Sequence, residues 1–155
     1  MELQIRTAEI RDVDALREID LLSFVENRTF DPHIDPNWIY GEKAIHYFSR
    51  AIQDSSRAVF VAISDGVPVG FVSVVPKVVD YRDARIAEID NLAVIPSYRS
   101  KGIGSALLLE TKRWAKRSNF TILYVSSYAK NSVALALYNK AEFKQIDVGL
   151  ELELK

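Results

Sequence analysis

Hydrophobic and polar residues repeat with two different periods along the chain, and the changes of period predict its strands and helices. The alternation in LQIRTA, residues 3–8, predicts a first strand. Val13, Leu16, Ile19 and Leu22 then recur at roughly helical spacing, and Asp12 is a residue type that caps helices. After the loop FDPHIDPNW, a second amphipathic helix is predicted, with an apolar face of Ala44, Tyr47, Phe48, Ala51 and Ile52.

The middle of the chain predicts an antiparallel meander. AVFVAI and PVGFVSVV flank the tetrapeptide SDGV, in which Asp65 and Gly66 form the dipeptide that two-residue hairpins prefer. ARIAEIDNLAVI, residues 84–95, then continues the sheet as a third consecutive strand.

Beyond the meander the pattern changes to alternating helices and strands. Helical spacing runs from Ile103 to about Lys116, and FTILYVSS, NSVALALYNKA and FKQIDVGLELELK predict a strand, a helix and a closing strand pair. The predicted order is β-α-α-β-β-β-α-β-α-β-β. This order indicates an α/β fold with a central mixed sheet flanked by helices, antiparallel in the meander and with at least one parallel crossover.

Composition narrows the class of protein. The 155 residues have no repeat or linker, and 48% hydrophobic and 26% charged residues favour one folded domain over residues 1–155. A net charge of −1 disfavours nucleic acid as the main partner, although basic residues cluster near 112–117. We expect a cytoplasmic protein that does not bind membranes, because no segment has the roughly 20 apolar residues of a membrane span.

The segment PSYRSKGIGSA carries the clearest chemical signal. It joins a predicted strand to a helix, and Gly102 and Gly104 would let a ligand approach the free N–H groups of the helix start. Arg99 and Lys101 add positive charge, so the loop favours a phosphate or pyrophosphate. The alternative is a glycine-containing turn with solvated basic residues. The Walker and dinucleotide patterns are both absent.

These residues resemble a known family. RSKGIG matches the R/Q-x-x-G-x-G/A pattern of the GNAT superfamily of acyl-CoA-dependent N-acetyltransferases, and NSVALALYNKAEF is similar to its N-x-x-A-x-x-x-Y-x-x-x-G-F segment. The element order agrees over the whole chain. Glu142 departs from the pattern because it stands where the family usually has glycine, so we expect a different or strained helix end there.

The resemblance implies acetyl-CoA as cosubstrate, and it implies that strand residues contact the pantetheine arm while loop amides hold the pyrophosphate. An amide of Leu92 or Ala93 would face the thioester oxygen. Asn131 would contact the coenzyme, or cap its helix, or do both. The implied cofactor-binding residues are Leu92, Ala93, Val94, Arg99, Ser100, Lys101, Gly102, Ile103, Gly104, Ser105, Asn131, Ala134 and Tyr138.

Acetyl transfer to an amine requires a group that takes a proton and a group that gives one. An alkylammonium resembling lysine has a pKa near ~10.4, so a carboxylate must deprotonate it, and Glu88 and Asp90 are both candidates for this base. Glu88 matches the family's usual position; alternatively, both acids are surface or salt-bridge residues. Tyr138 matches the family's general acid, with core packing as its alternative role. With no cysteine, direct attack in a ternary complex is favoured over an acyl-enzyme.

The acceptor is less determined than the reaction. Phe24, Phe30, Trp38 and Tyr40 are candidates to line its pocket, and a small-molecule amine is favoured over a protein N-terminus or lysine. His33 lies between two aspartates but is predicted to be loop structure, so we expect no metal. A homodimer is left open by the alternating C-terminal segment. The competing hypothesis is a catalytically idle acyl-CoA-binding regulatory module, and a nucleic-acid binder ranks last.

Overall fold

The computed structural model describes residues 1–154 as one sheet with helices on both faces. The strands are β1 (Leu3–Thr7), β2 (Ala58–Ser64), β3 (Val67–Lys77), β4 (Ile86–Val94) and β5 (Ile122–Val125). The helices are α1 (Val13–Asn27), α2 (Glu42–Gln53), α3 (Ile103–Arg117) and α4 (Ser132–Lys140). No helix within residues 1–154 combines the length and apolar character that a membrane-spanning helix needs.

The five strands lie in sequence order across the sheet. The β1–β2, β2–β3 and β3–β4 pairs are antiparallel, whereas β4 and β5 are parallel, with α3 as the crossover between them. Asp65 and Gly66 both have positive φ, 49° and 83°, as a two-residue hairpin turn of the mirror-image type requires. The predicted mixed α/β fold, with its meander and parallel crossover, is confirmed.

Each face of the sheet packs against a separate set of helices. On one face Leu16 and Phe48 from α1 and α2 pack with Phe71 of β3. On the other, Leu107 of α3 packs with Val72, and α4 packs against the same cluster. These residues are almost fully buried, and their burial is the main favourable contribution to folding.

A bulge in β4 changes which side chains share a face. Ile89 pairs with Val74 of β3 and Asn91 with Ser73, so Asp90 is an extra residue without a partner on β3. Because of the extra residue, the side chains of Asp90 and Asn91 both lie on the face of the sheet that α1 and α2 cover. Asp90 contacts α2, and Asn91 contacts α1.

Strand β4 also extends beyond its parallel neighbour. The β4–β5 pairing ends at Ile89 and Val125, while β4 continues to Val94. Because the N–H of Ile95 donates to Val69 O, the alternation of a strand directs the backbone groups of Leu92 and Val94 to the opposite, open side. Strand β4 therefore has an unpaired backbone edge at Leu92 and Val94, where no strand within residues 1–154 lies beside it beyond the end of β5.

The predicted closing strand pair is wrong for residues 143–154. No strand is present there, and Leu150, Leu152 and Leu154 are between 83% and 91% exposed. Their alternation fits a strand, but a strand also requires a neighbour to satisfy its backbone N–H and C=O groups, and none pairs with this segment. The final residue, Lys155, lies outside the described residues.

Candidate active site

A cavity of about 860 Å³ lies where β4 and β5 diverge. Strand β4 forms its floor, α1 and the segment after it form one side, and the start of α3 and helix α4 form the other. Most of the predicted site residues line it: Phe24, Phe30, Asp90, Leu92, Ala93, Val94, Arg99, Ser100, Gly102, Ile103, Gly104, Ser105, Asn131, Ala134 and Tyr138.

Four predicted residues do not line the cavity. Glu88 pairs with Lys77, with 3.2 Å between Oε2 and Nζ. Trp38 packs against the ring of Phe24 at 5.7 Å, and Tyr40 is exposed. The ammonium of Lys101 lies over the ring of Tyr98 instead of facing the cavity. Of the two candidate bases, only Asp90 reaches the cavity wall.

The glycine loop has the geometry of a helix start. Gly102 precedes α3 with φ of 81°, and a Cβ placed there would meet nothing within 4 Å. Gly104 differs, because its Cβ would lie 3.1 Å from Leu137 Cδ2. Gly104 thus has a packing role besides the predicted one, because it permits α3 to pack closely against α4 while it also lines the cavity.

Arg99 is held in place by two other elements of the cavity wall. Its guanidinium donates to both carboxylate oxygens of Glu26 on α1, at 2.7 and 3.0 Å. Its Nε donates to Val94 O at 3.0 Å, which also occupies part of the open β4 edge. The positive charge of Arg99 beside the loop is therefore paired with the carboxylate of Glu26.

Helix α4 contributes Asn131 and Tyr138. Asn131 caps the helix, because its Oδ1 accepts from the Ala134 N–H at 3.1 Å. Tyr138 is 9% exposed, and burial raises its pKa to about 12. Its hydroxyl makes no hydrogen bond to another described residue. The phenol is therefore protonated at neutral pH and available to a ligand.

Two hydrogen-bonded pairs of polar side chains lie at the β4 bulge. The Tyr47 hydroxyl donates to Asp90 Oδ2 at 2.7 Å, and burial together with the Asp90 charge raises the pKa of Tyr47. Asn91 Nδ2 donates to Asp20 Oδ2 at 3.0 Å. Asp20 is 3% exposed, and its pKa is raised to about 7, first by burial and then by the Asp90 charge.

The sequence prediction did not include Asp20. Its signal was its position, four residues after Leu16 on the face of α1 that packs against the sheet. An acid on an apolar helix face is informative because such groups are rarely buried without a partner. Within residues 1–154, no group of three or more His, Asp or Glu side chains is arranged to hold a metal ion.

Comparisons with known proteins agree with this architecture. The model of the acetyltransferase (GNAT) family matches residues 13–143. The chain is 28% identical to an N-alpha-acetyltransferase of Sulfurisphaera tokodaii, covering 95% of this chain and 83% of that protein. It is 26% identical to a spermidine N(1)-acetyltransferase of Thermoplasma acidophilum, over 95% and 91% of the two chains.

A solved structure shares the fold. The aminoglycoside acetyltransferase AAC(6')-Iy, solved with a bisubstrate analogue of CoA and monomethyl-acetylneamine, superposes with a TM-score of 0.76 at 16% identity, covering 100% of this chain and 99% of that one. The family match spans most of the sequence. The cavity is lined by strand β4, the glycine loop before α3 and helix α4, the segments whose sequences resemble the family. The chain belongs to the acetyltransferase (GNAT) family and is an acetyl-CoA-dependent N-acetyltransferase.

Proposed function

We propose that this chain transfers the acetyl group of acetyl-CoA to a primary amine of a small molecule, by direct attack in a ternary complex. One observation carries the proposal: the unpaired backbone edge of β4 at Leu92 and Val94 faces a cavity that reaches the N-terminus of α3. Acetyl-CoA supplies the thioester whose carbonyl carbon accepts the amine.

The residues present fit this cosubstrate. The pantetheine arm carries amides, which need backbone donors and acceptors such as the N–H and C=O of Leu92 and the N–H of Val94. The carbonyl of Val94 already accepts from Arg99 Nε. At the other end, the N–H groups between Arg99 and Ser105 lie at a helix N-terminus, an arrangement that favours a pyrophosphate. Asn131 keeps its Nδ2 free to donate, because only its Oδ1 is used in the helix cap.

The chain's own groups supply the remaining chemistry. The Leu92 N–H points to the open side of β4, where it would stabilise charge developing on the carbonyl oxygen. Asp90 lines the cavity, whereas Glu88 pairs with Lys77. Asp90 is therefore our preferred candidate for the base that deprotonates the amine. Tyr138 stays protonated at neutral pH and would protonate the departing thiolate.

The walls favour a cationic acceptor with an apolar body. Asp20 and Asp90 place carboxylates beside the apolar rings of Phe24, Phe30 and Tyr128. Similarity to a spermidine acetyltransferase supports a small amine, whereas similarity to an N-alpha-acetyltransferase supports a protein N-terminus as the alternative. A panel of a polyamine, an aminoglycoside and a short peptide with a free N-terminus would distinguish these acceptors.

Release of CoA tests the mechanism directly, because the chain has no thiol and a thiol reagent detects only the product. We expect Tyr138→Phe and Asp90→Asn each to reduce kcat at least 100-fold while the Kd for acetyl-CoA changes less than threefold. Tyr81→Phe is the matched control, since Tyr81 is 91% exposed, and it should behave as the wild type.

Glu88→Gln separates the two candidate bases and should change kcat little. Normal turnover by both Tyr138→Phe and Asp90→Asn would overturn the assignment of roles. Tight acetyl-CoA binding without transfer to any amine would indicate the idle regulatory module instead.

The remaining partners are also proposals. Nucleic acid is disfavoured because Arg113 and Arg117 on the basic end of α3 pair with Glu110, and Lys112 donates to Ala141 O. The exposed apolar residues after position 143 support a homodimer in which this segment pairs with a second copy, and sedimentation would report its mass. A cytoplasmic location stays a prediction.

A further inference from the structure

Two carboxylates are buried in residues 1–154, and their environments differ. Asp12 accepts two hydrogen bonds from the guanidinium of Arg6, at 2.7 and 2.9 Å. Asp20 has no cationic partner among the described residues, and its only hydrogen-bond donor is Asn91, on Oδ2. Oδ1 has no donor, and the residue lines the cavity. Asp20 is thus an uncompensated carboxyl group at the wall of the binding site.

A buried carboxylate without a counter-charge is unfavourable, because burial removes its hydration. The groups that face Asp20 cannot supply the charge. Asn91 of β4 is neutral, Asp90 of β4 is acidic, and Tyr47 of α2 is a phenol already donating to Asp90. A positive group that enters the cavity would relieve this cost, so the site favours a cation at Asp20.

We propose that Asp20 binds the ammonium group of the acceptor and takes its proton before the amine attacks, with Asn91 positioning the carboxylate. This inference rests on the proposed function, and it identifies a residue that the family resemblance did not point to. Asp90 is the neighbouring charge that helps to attract the ammonium, and it keeps the role of base proposed above by taking the second proton of the amine during attack.

The proton balance is complete. The ammonium N–H bond breaks and an O–H bond forms on Asp20, leaving a neutral amine. When the C–N bond forms and the C–S bond breaks, the nitrogen passes its second proton to Asp90, and Tyr138 delivers its phenolic proton to the leaving sulfur. The Asp90 proton returns through water to the Tyr138 phenolate. The proton on Asp20 then passes to solvent, so one amide, one thiol and one released proton result.

Asp20→Asn tests the proposal, because the amide conserves shape and removes the charge. At pH 7 we expect kcat/KM for an alkylamine to fall at least 100-fold while the Kd for acetyl-CoA changes less than threefold. The loss should shrink to less than tenfold for an acceptor amine with a pKa near 5, which is already neutral at pH 7. Asp14→Asn is the control, since Asp14 lies on the same helix with its side chain 88% exposed.

Stability separates this role from a structural one. The raised pKa means that folded Asp20 binds its proton more tightly than the unfolded chain does, so stability is lost as pH rises from about 4 to about 7. Asp20→Asn removes this loss, and its unfolding midpoint at pH 8 should equal or exceed that of the wild type. A lower midpoint, or equal loss of activity on both amines, would overturn the proposal.

Amine binding distinguishes failure of this inference from failure of the proposed function. Titration of the protein saturated with CoA by spermidine should give a Kd at least tenfold weaker for Asp20→Asn than for the wild type. If the wild type binds the amine more tightly than Asp20→Asn does but transfers no acetyl group, the transfer proposal fails and Asp20 stands as the ammonium-binding residue alone. If both proteins bind the amine equally, the assignment of Asp20 is overturned.

Discussion

At the scale of single residues, Glu142 shows how a departure from the family pattern is accommodated. It adopts the left-handed conformation, with φ of 69°, at the position where the family usually has glycine. Its N–H donates to Asn139 O, and the next N–H, of Phe143, donates to Tyr138 O. These two bonds form the usual left-handed helix end, so the geometry expected of glycine is retained with a side chain that disfavours it.

Glu142→Gly should therefore stabilise the protein. We expect the free energy of unfolding to rise by about 1 kcal/mol, because glycine adopts this conformation without the clash of a Cβ. Urea denaturation measures the change, and kcat should stay within twofold of the wild type. Glu142→Ala is the matched control, since it removes the same charge but keeps the Cβ; a gain equal to that of glycine would refute the backbone explanation.

The candidate site was predictable residue by residue only in part. Tyr138, Asn131 and the glycine loop follow from motif letters, because their spacing is fixed within one helix or one turn. Glu88 and Asp90 are two residues apart and are both candidates for the base, but Glu88 pairs with Lys77, and only Asp90, at the bulge, lines the cavity. Asp20 lies far from all of them in sequence, and only the tertiary structure brings it to Asn91.

At the scale of elements, the cavity depends on how α3 and α4 approach one another. Gly104 faces Leu137, and an added Cβ would come within 3.1 Å of its Cδ2. Such a contact is tighter than ordinary van der Waals separation, so Leu137 would have to move. The glycine therefore sets the spacing between the loop's helix and the helix that carries Tyr138.

A double-mutant cycle on Gly104 and Leu137 tests this packing. Gly104→Ala should be less favourable in the wild type than in the Leu137→Ala background, with a coupling of about 1 kcal/mol in the free energy of unfolding. The reason is that truncating Leu137 removes the atoms the new methyl group would contact. Additive effects of the two changes would show that Gly104 does not control the helix spacing.

Periodicity predicted the elements well up to residue 141 and poorly beyond it. Helices and strands with one buried face carry that face in their sequence, since burial selects the apolar positions. The bulge leaves only a weak trace, the adjacent polar pair Asp90 and Asn91. Asp12 stands at the N-cap position of α1 as expected, but its side chain makes no cap hydrogen bond. Its carboxylate accepts from Arg6 and from the Glu9 N–H in the turn before the helix.

At the scale of the whole molecule, the candidate site results from the difference in length between the neighbouring strands β4 and β5. Because β4 continues past the end of β5, the sheet opens into a cavity, and backbone groups that would pair with a strand are left for a ligand. The predicted hairpin and meander indicated that β2, β3 and β4 lie side by side, but the sequence did not show that β4 continues past the end of β5.

Every role proposed above depends on the binding of acetyl-CoA by this open edge and the loop before α3. Calorimetric titration with acetyl-CoA, with ATP as control, tests it most directly. We expect saturable binding with a Kd in the micromolar range, about −8 kcal/mol, retained in Tyr138→Phe and at least tenfold tighter than any binding of ATP. Absence of saturable acetyl-CoA binding, or equal affinity for ATP, would contradict the claim.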